Sequence, residues 1–375
     1  MIAPPPAPPA RILYLVHDLG DAAVARRTGM LRAGGAEVDL AGFERGAAGR
    51  SLDGARSLGR TFDADLAQRA RAVLVWLARP WALARLARCH DVVLARNLEM
   101  LLLGAAARRL GAPKARLVYE ALDIHGSLVG HGLRARLLRA VEAFLVRRCD
   151  RLIVSSPAFV TRHFSRYRGL PPVRLVENRA PRVEDAAPVP PGPRPPGRPW
   201  RIGWFGMIRC RRSLEILQGL VAAAPGAVEV IVRGRPTPAV FPDFPAEAAA
   251  AGLRFEGPYA PEDLPRLYAE VDFVWAVDFY EAAANSAWLL SNRLYEGAAA
   301  GRPALAQAGV ETGRWVERHC AGVVFTDLDR DLPGFFVRLT PAAYADLEAR
   351  TAAIPPEVAT YDRNDCLALV EALRA

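Results

Sequence analysis

Short apolar runs alternate with amphipathic stretches along nearly the whole chain. Residues 11–16, Arg-Ile-Leu-Tyr-Leu-Val, form an apolar run bounded by turn residues, the pattern of a strand buried on both faces. An amphipathic helix is predicted over 23–33, closed by Gly34-Gly35, and a second strand over 37–42. Further strands are predicted at 91–95, 116–119, 151–155 and 173–177, with helical segments between them. The pattern restarts at 200: strands at 200–205, 228–232, 253–257, 271–277, 303–306 and 322–325, and helices at 213–224, 261–270 and 291–300. Such strand–helix alternation builds parallel sheets with helices on both faces.

Between the two series, residues 181–199 are rich in proline and read as a semi-rigid linker. The chain therefore divides into a tail at 1–10, a Rossmann-like domain at 11–180, the linker, and a second Rossmann-like domain at 200–355. A C-terminal segment at 356–375 ends in a helix at 361–375, capped by Asp362 or Asn364, that packs back toward the first domain. Two facing α/β domains leave a cleft, and ligands bind beyond the carboxyl ends of the strands.

Composition narrows the class. The chain has 375 residues, enough for two domains of roughly 150–180 residues each. Its formal charge of +9 comes almost wholly from arginine, Lys114 being the one lysine, and no aromatic-interleaved nucleic-acid motif accompanies it. An anionic lipid surface or an acidic substrate suits that charge. The five cysteines lie far apart without a CxxC pair, which argues against zinc and disulfides and fits a reducing cytosol. No apolar run reaches the ~18–20 residues of a membrane span. The expected location is cytoplasmic, with peripheral contact at the inner face of the cell membrane as an added feature. The segment 69–88 carries that feature: Arg69, Arg71, Arg79, Arg85 and Arg88 alternate with Leu74, Trp76 and Trp81, and Pro80 splits the helix into two basic, tryptophan-bearing pieces. The same pattern also suits a helix packed on a sheet with snorkelling arginines.

Residues 285–303 carry the richest chemistry. A polar turn with Asn285 and Ser286 precedes a short helix that places Asn292, Arg293 and Glu296 on one face, before a stop at Gly301-Arg302-Pro303. Amide, cation and carboxylate at a helix start suit a ligand bearing a phosphate and sugar hydroxyls. A second cluster, Gly206 to Ser213, follows a strand and opens a helix with Arg209, Arg211 and Arg212. Arg233-Gly234-Arg235 ends another strand, and Asp123 and His125 follow a strand of the first half, as His17 and Asp18 do. The first βα turn, His17 to Asp21, has no G-x-G-x-x-G, which counts against dinucleotide binding.

The order and spacing of these motifs resemble nucleotide-sugar glycosyltransferases of the GT-B fold, specifically the retaining family 4 group. The resemblance runs from Arg11 to about Phe325. It rests on residues 21–38, on Arg96-Asn97 with Glu120 and Asp123, on Ser155-Ser156 with Asn178-Arg179, on the 255–272 stretch, and above all on Tyr295-Glu296 through Pro303. It implies a metal-independent enzyme with no cofactor besides its nucleotide-diphosphate sugar substrate. It also implies a carbohydrate or lipid-linked acceptor and a setting in envelope or extracellular polysaccharide assembly. In its terms, Arg209 and Arg212 stabilise charge on the departing β-phosphate, and Glu296 accepts from the ribose hydroxyls. Arg293 meets the diphosphate or pairs with Glu296; Asn292 bonds phosphate or caps its helix; Arg233 contacts phosphate or plays a structural part. Gly206, Asn285 and Ser286 complete the donor side, and Asp123 and His125 orient the acceptor. The chain departs from the family where a first glutamate meets the donor sugar: Trp288 stands there, eight residues before Glu296. Glu281, Asn285 and Ser286 are candidates to supply that contact. A histidine of the first-domain motif is also absent, Leu122 occupying its place. The departure at Trp288 leaves a catalytically silent relative that binds or scaffolds as the alternative.

Overall fold

The computed structural model describes residues 8–45, 54–62, 66–182, 197–282 and 284–375. The expected tail and linker therefore lie mostly outside the described residues. What is described of the tail is anchored: Ala10 is buried and its carbonyl accepts from the Glu37 amide, while Arg374 donates to the Pro8 carbonyl. The chain separates into two compact units, one running to Glu177 and taking in Asp362–Ala375, the other spanning Asn178–Tyr361. The C-terminal helix, Arg363–Arg374, belongs to the first unit, where it packs on the helix Ala22–Ala33. Its cap is Asp362, in a reciprocal pair with Asp365.

In the first unit seven parallel strands form one sheet: β1 (Arg11–Val16), β2 (Glu37–Arg45), β3 (Arg56–Thr61), β4 (Val92–Arg96), β5 (Arg116–Ala121), β6 (Arg151–Val154) and β7 (Val173–Leu175). Their spatial order is β3-β2-β1-β4-β5-β6-β7, so the winding reverses between β1 and β4. The central strands are buried along nearly their whole length because helices cover both faces, which is why they read as unbroken apolar runs. Strand β3 escaped the sequence reading. It is a polar edge strand, Arg-Ser-Leu-Gly-Arg-Thr, exposed except at Leu58 and Thr61, with no apolar run to announce it.

The second unit repeats the plan. After the two-residue β8 (Ala180–Pro181) come β9 (Trp200–Ile208), β10 (Val228–Pro236), β11 (Arg254–Phe255), β12 (Phe273–Trp275), β13 (Ala304–Gln307) and β14 (Gly322–Phe325). They lie parallel in the order β11-β10-β9-β12-β13-β14, reversing between β9 and β12. β15 (Thr360–Tyr361) pairs with β8, which places Pro181 in a strand and not in the linker. Two helices absent from the sequence reading, Leu328–Arg338 and Pro341–Ala352, pack Phe336 and Tyr344 into the core around Trp200, Trp204 and Trp275. The predicted helix at 261–270 resolves into a 3-10 turn, Pro261–Asp263, and a short α-helix, Leu264–Ala269.

Candidate functional site

Where winding reverses in an open parallel sheet, the loops on either side diverge and leave a crevice at the carboxyl ends of the strands. In the second unit that point lies beyond Ile208 of β9 and Trp275 of β12. Arg209 leaves β9 directly. Its guanidinium lies 3.5 Å from Asp278, in the loop after β12, and 4.9 Å from the Tyr280 ring centroid. Cys210 caps the helix Arg211–Ala223. Its sulfur accepts from the Ser213 amide at 3.3 Å and from the Phe279 amide at 3.2 Å, tying the end of β9 to the loop after β12. Gly206 has φ 110°, and a side chain there would meet open space. Opposite it in β10 stands Gly234, where a Cβ would fall 1.7 Å from the Gly206 carbonyl oxygen, so position 234 accepts glycine alone.

The next element across the crevice is the helix Asn292–Ala299. Ser291 occupies the cap position, so Asn292 is the first helical residue and not the cap. Gly297 lets this helix sit directly on β12, since a Cβ there would lie 2.5 Å from Val274. Arg293 reaches the Phe205 carbonyl at 3.5 Å. Glu296, half-buried one turn later, accepts from the Tyr268 hydroxyl at 3.1 Å. Tyr268 is itself buried and edge-on to Phe205 at 5.2 Å. Burial, followed by the Glu296 charge, pushes its phenol well above the ordinary range, so it stays a hydrogen-bond donor to that carboxylate.

Beside Asp278 lies a small recess lined also by Ser286, Ser291, Gln307, Val310 and Thr312. Two helices start at its edge, Asn292–Ala299 and Glu311–His319. The Ser291 hydroxyl is buried there with no hydrogen-bond partner among the described residues. Ser286 is engaged in shaping the loop, accepting from the Glu281 amide at 2.9 Å, and Asn285 beside it is buried. A helix start with an orphan hydroxyl, and Arg209 and Arg293 beside β9, are groups suited to an anion. A carboxylate a helical turn away suits a pair of vicinal hydroxyls.

Not every expected residue joins this group. Arg212 pairs with Asp329 and Glu215 on an exposed surface, and Arg211 stacks on Phe241 and pairs with Glu247. Arg233 is taken up by Glu256, which also holds Arg254. Conversely, Tyr268, Asp278, Tyr280 and Ser291 were missed. Tyr268 stands 28 residues from the Glu296 it serves, and no local pattern links such distant positions. The sequence holds Asp-x-Asp at 63–65, outside the described residues, and at 327–331. There Asp327 caps the helix Leu328–Arg338, Asp329 meets Arg212 and Asp331 pairs with Arg330. Among the described residues no three His, Cys, Asp or Glu side chains are grouped to hold a metal ion.

The first unit has its own reversal point, at the ends of β1 and β4. His17 lies 3.2 Å from Asn97, whose φ of 69° is unusual for a non-glycine residue. Asp123 and His125 follow β5 and are exposed; His125 caps the turn Gly126–Val129, accepting from the Ser127 amide at 3.1 Å. Arg96 and Glu120, which the motif places at the strand ends, are instead buried together. Glu120 accepts from Arg27 at 2.6 Å, Tyr14 at 2.6 Å and Arg96 at 2.9 Å. Burial alone would raise the Glu120 pKa, but Arg96, Arg27 and the Tyr14 hydrogen bond outweigh it and bring it from 4.5 to about 2. A depressed folded-state pKa gives stability that is fully present above the unfolded value and is lost as pH falls toward the folded one. Urea unfolding at a series of pH values is expected to show a loss of about 3 kcal/mol from this group between roughly pH 4.5 and 2. Glu120→Gln strands two buried cations, costs about 3–5 kcal/mol at neutral pH and flattens that acid window. A variant as acid-sensitive as the parent would remove Glu120 from this account.

Comparison with known proteins adds independent information. Residues 22–179 match the glycosyl transferase 4-like domain family. The chain is 43% identical to the succinoglycan biosynthesis protein ExoL of Rhizobium meliloti (strain 1021), over 97% of this chain and 93% of that protein. Among solved structures, Anabaena Alr3699/HepE in complex with UDP superposes with a TM-score of 0.68 at 17% identity, covering 96% of this chain and 98% of that one. The same protein with UDP and glucose gives 0.67 at 16% identity, covering 97% and 98%. WaaG, a glycosyltransferase involved in lipopolysaccharide biosynthesis, gives 0.62 at 13% identity, covering 96% and 99%.

Proposed function

Because this chain belongs to the glycosyl transferase 4-like glycosyltransferases of the GT-B fold, we propose that it moves a hexose from a nucleotide-diphosphate sugar to a glycan or lipid-linked acceptor during assembly of an extracellular polysaccharide. The observation that carries the reading is that Arg209, the start of the helix Asn292–Ala299 and the Tyr268-held carboxylate of Glu296 all follow or cover the strands on either side of one reversal point. The relation to ExoL supports the polysaccharide setting, and the UDP and glucose held by HepE support a uridine nucleotide carrying a glucose-type sugar.

In this reading the diphosphate lies against the start of Asn292–Ala299, with Ser291, Arg293 and Arg209 around it. Gly206 leaves room for its approach, and Glu296 accepts from the 2′- and 3′-hydroxyls of the ribose. As the glycosidic bond breaks, negative charge grows on the β-phosphate, and the fixed guanidinium of Arg209 stabilises it more in the transition state than before. Asp123 and His125 stay assigned to the acceptor side. Transfer is metal-independent, with retention of anomeric configuration as the stereochemical outcome. The sugar contact that the family gives to a glutamate at position 288 falls here to the loop bearing Asp278 and Glu281.

Thermal unfolding with a nucleotide panel tests the binding half. UDP at a hundred times its Kd is expected to add about 2.7 kcal/mol of stability, and UMP or adenine nucleotides at the same concentration less. Donor turnover in EDTA, followed by NMR of the anomeric proton of the product, tests the rest. An inverted product would overturn retention and leave transfer standing. The second reading, a silent relative, is favoured by Trp288 in place of a carboxylate; UDP binding with neither transfer nor donor hydrolysis would establish it.

A further inference from the structure

The loops on the two sides of the second reversal point are fastened to each other by one sulfur. Cys210 is 3% exposed and follows Arg209 directly. Three donors converge on its Sγ. The Ser213 amide at 3.3 Å and the Ser213 hydroxyl at 3.1 Å come from the helix that Cys210 caps, Arg211–Ala223. The Phe279 amide, at 3.2 Å, comes from the loop after β12. The first two bonds close a helix end. The third crosses between segments 69 residues apart in the chain.

This crossing sits inside the cradle of Arg209. Phe279 is flanked by Asp278 and Tyr280. The Asp278 carboxylate lies 3.5 Å from the Arg209 guanidinium and accepts from the Tyr280 amide at 2.9 Å. The Tyr280 ring stands on the other side, its centroid 4.9 Å from the same guanidinium. The arginine therefore precedes the sulfur, and the two side chains that steer it flank the amide that the sulfur holds. Loops at a reversal point diverge as they leave the sheet, and a bond across them opposes that divergence.

The residue type suits the place. Serine, threonine, aspartate and asparagine are the common residues at a helix cap. An aspartate here would set a second carboxylate beside Asp278 and put negative charge where an anion must approach. A serine oxygen, on a shorter bond to Cβ, would serve the Ser213 amide within its own turn but fall short of the Phe279 amide in the neighbouring loop. Sulfur is a neutral and larger acceptor, and it reaches both.

We propose that Cys210 is the positioning residue of Arg209: its sulfur holds the loop after β12 against the end of β9, so that Asp278 and Tyr280 keep the guanidinium where charge gathers on the departing phosphate. The inference rests on the part given to Arg209 under the proposed function and adds the group through which that arginine is held. The sulfur itself touches neither donor nor acceptor.

The test is a double-mutant cycle of Cys210→Ala with Arg209→Gln, read as the single-turnover rate at saturating donor and as the donor KM. Cys210→Ala is expected to lower the rate about ten- to a hundredfold with KM within a few-fold of the parent, because a small displacement of a charged group acts on the transition state. Cys210→Ser, which keeps the helix cap, is expected to recover part of that loss. In the Arg209→Gln background either substitution should cost less than about twofold, since no guanidinium remains to be displaced. A sulfur that only supports the fold would lower the rate by the same factor in both backgrounds, and that result would overturn the proposal. So would a parental rate in Cys210→Ala while Arg209→Gln is impaired, which leaves the arginine's own role standing. A parental rate in Arg209→Gln would instead remove the arginine from the chemistry and this inference with it. If Cys210→Ala does not fold, Cys210→Ser carries the same cycle, with a smaller loss that again vanishes beside Arg209→Gln.

Discussion

Glu296→Gln is expected to raise the KM for the nucleotide sugar by about a hundredfold, with kcat changed only a few-fold. In the proposed binding mode the carboxylate accepts from two ribose hydroxyls, and each charge-assisted hydrogen bond contributes about 1.5–3 kcal/mol. An amide of the same shape keeps one acceptor but turns a donor toward the second hydroxyl. The ribose does not react, so its contacts are equally strong in the bound substrate and in the transition state, and their loss falls on KM. Tyr268→Phe supplies the internal control. It leaves the carboxylate in place and removes the hydroxyl that holds it at 3.1 Å, so a smaller effect, about fivefold, is expected in the same parameter. Steady-state kinetics with varied donor measures both. A Glu296→Gln enzyme with parental KM would take the nucleotide away from this helix.

Arg209→Gln is expected to act on the other parameter, lowering kcat by about a hundred- to a thousandfold with a modest change in KM. The neutral substitute can still donate a hydrogen bond to phosphate but brings no charge to the oxygen on which charge accumulates. The geometry supports this assignment. Arg209 is steered by Asp278 and the Tyr280 ring at the mouth of the reversal point, whereas Arg212 pairs with Asp329 on the exposed side of the next helix. Arg212→Gln is therefore expected to leave kcat within a few-fold of the parent, and its ion pair, being exposed, contributes little to stability. If Arg212→Gln lost as much turnover as Arg209→Gln, the cationic pair would be the one implied by the motif, and the side chain would have to leave Asp329 when donor binds. Single-turnover measurements at saturating donor distinguish the two cases without interference from KM.

Legibility of the fold and of the site differed for physical reasons. The central strands could be read because burial on both faces leaves an apolar run that little else produces. The edge strand β3 could not, since an edge is solvated and carries polar residues. Helix ends were legible where local chemistry sets them, as Asp362 and Asp365 do by capping each other within four residues. Of the two roles open to Asn292, phosphate contact and helix cap, the second falls to Ser291 one position earlier.

Residue type and local spacing alone determined that this chain builds two parallel α/β sheets, that Asn292, Arg293 and Glu296 share one short helix, and that arginines follow the first strand of the second series. Those features depend on the period of a helix or strand and act over a few positions. Only the tertiary structure decided which charged groups serve a site and which are consumed elsewhere. It gave Arg212 to Asp329 and Arg233 to Glu256, buried Arg96 and Arg27 around Glu120, and set Tyr268 behind Glu296. An ion pair or a buried hydrogen bond forms between whichever groups the packing of sheets brings within about 3 Å. The separation of those groups along the chain carries no trace of it.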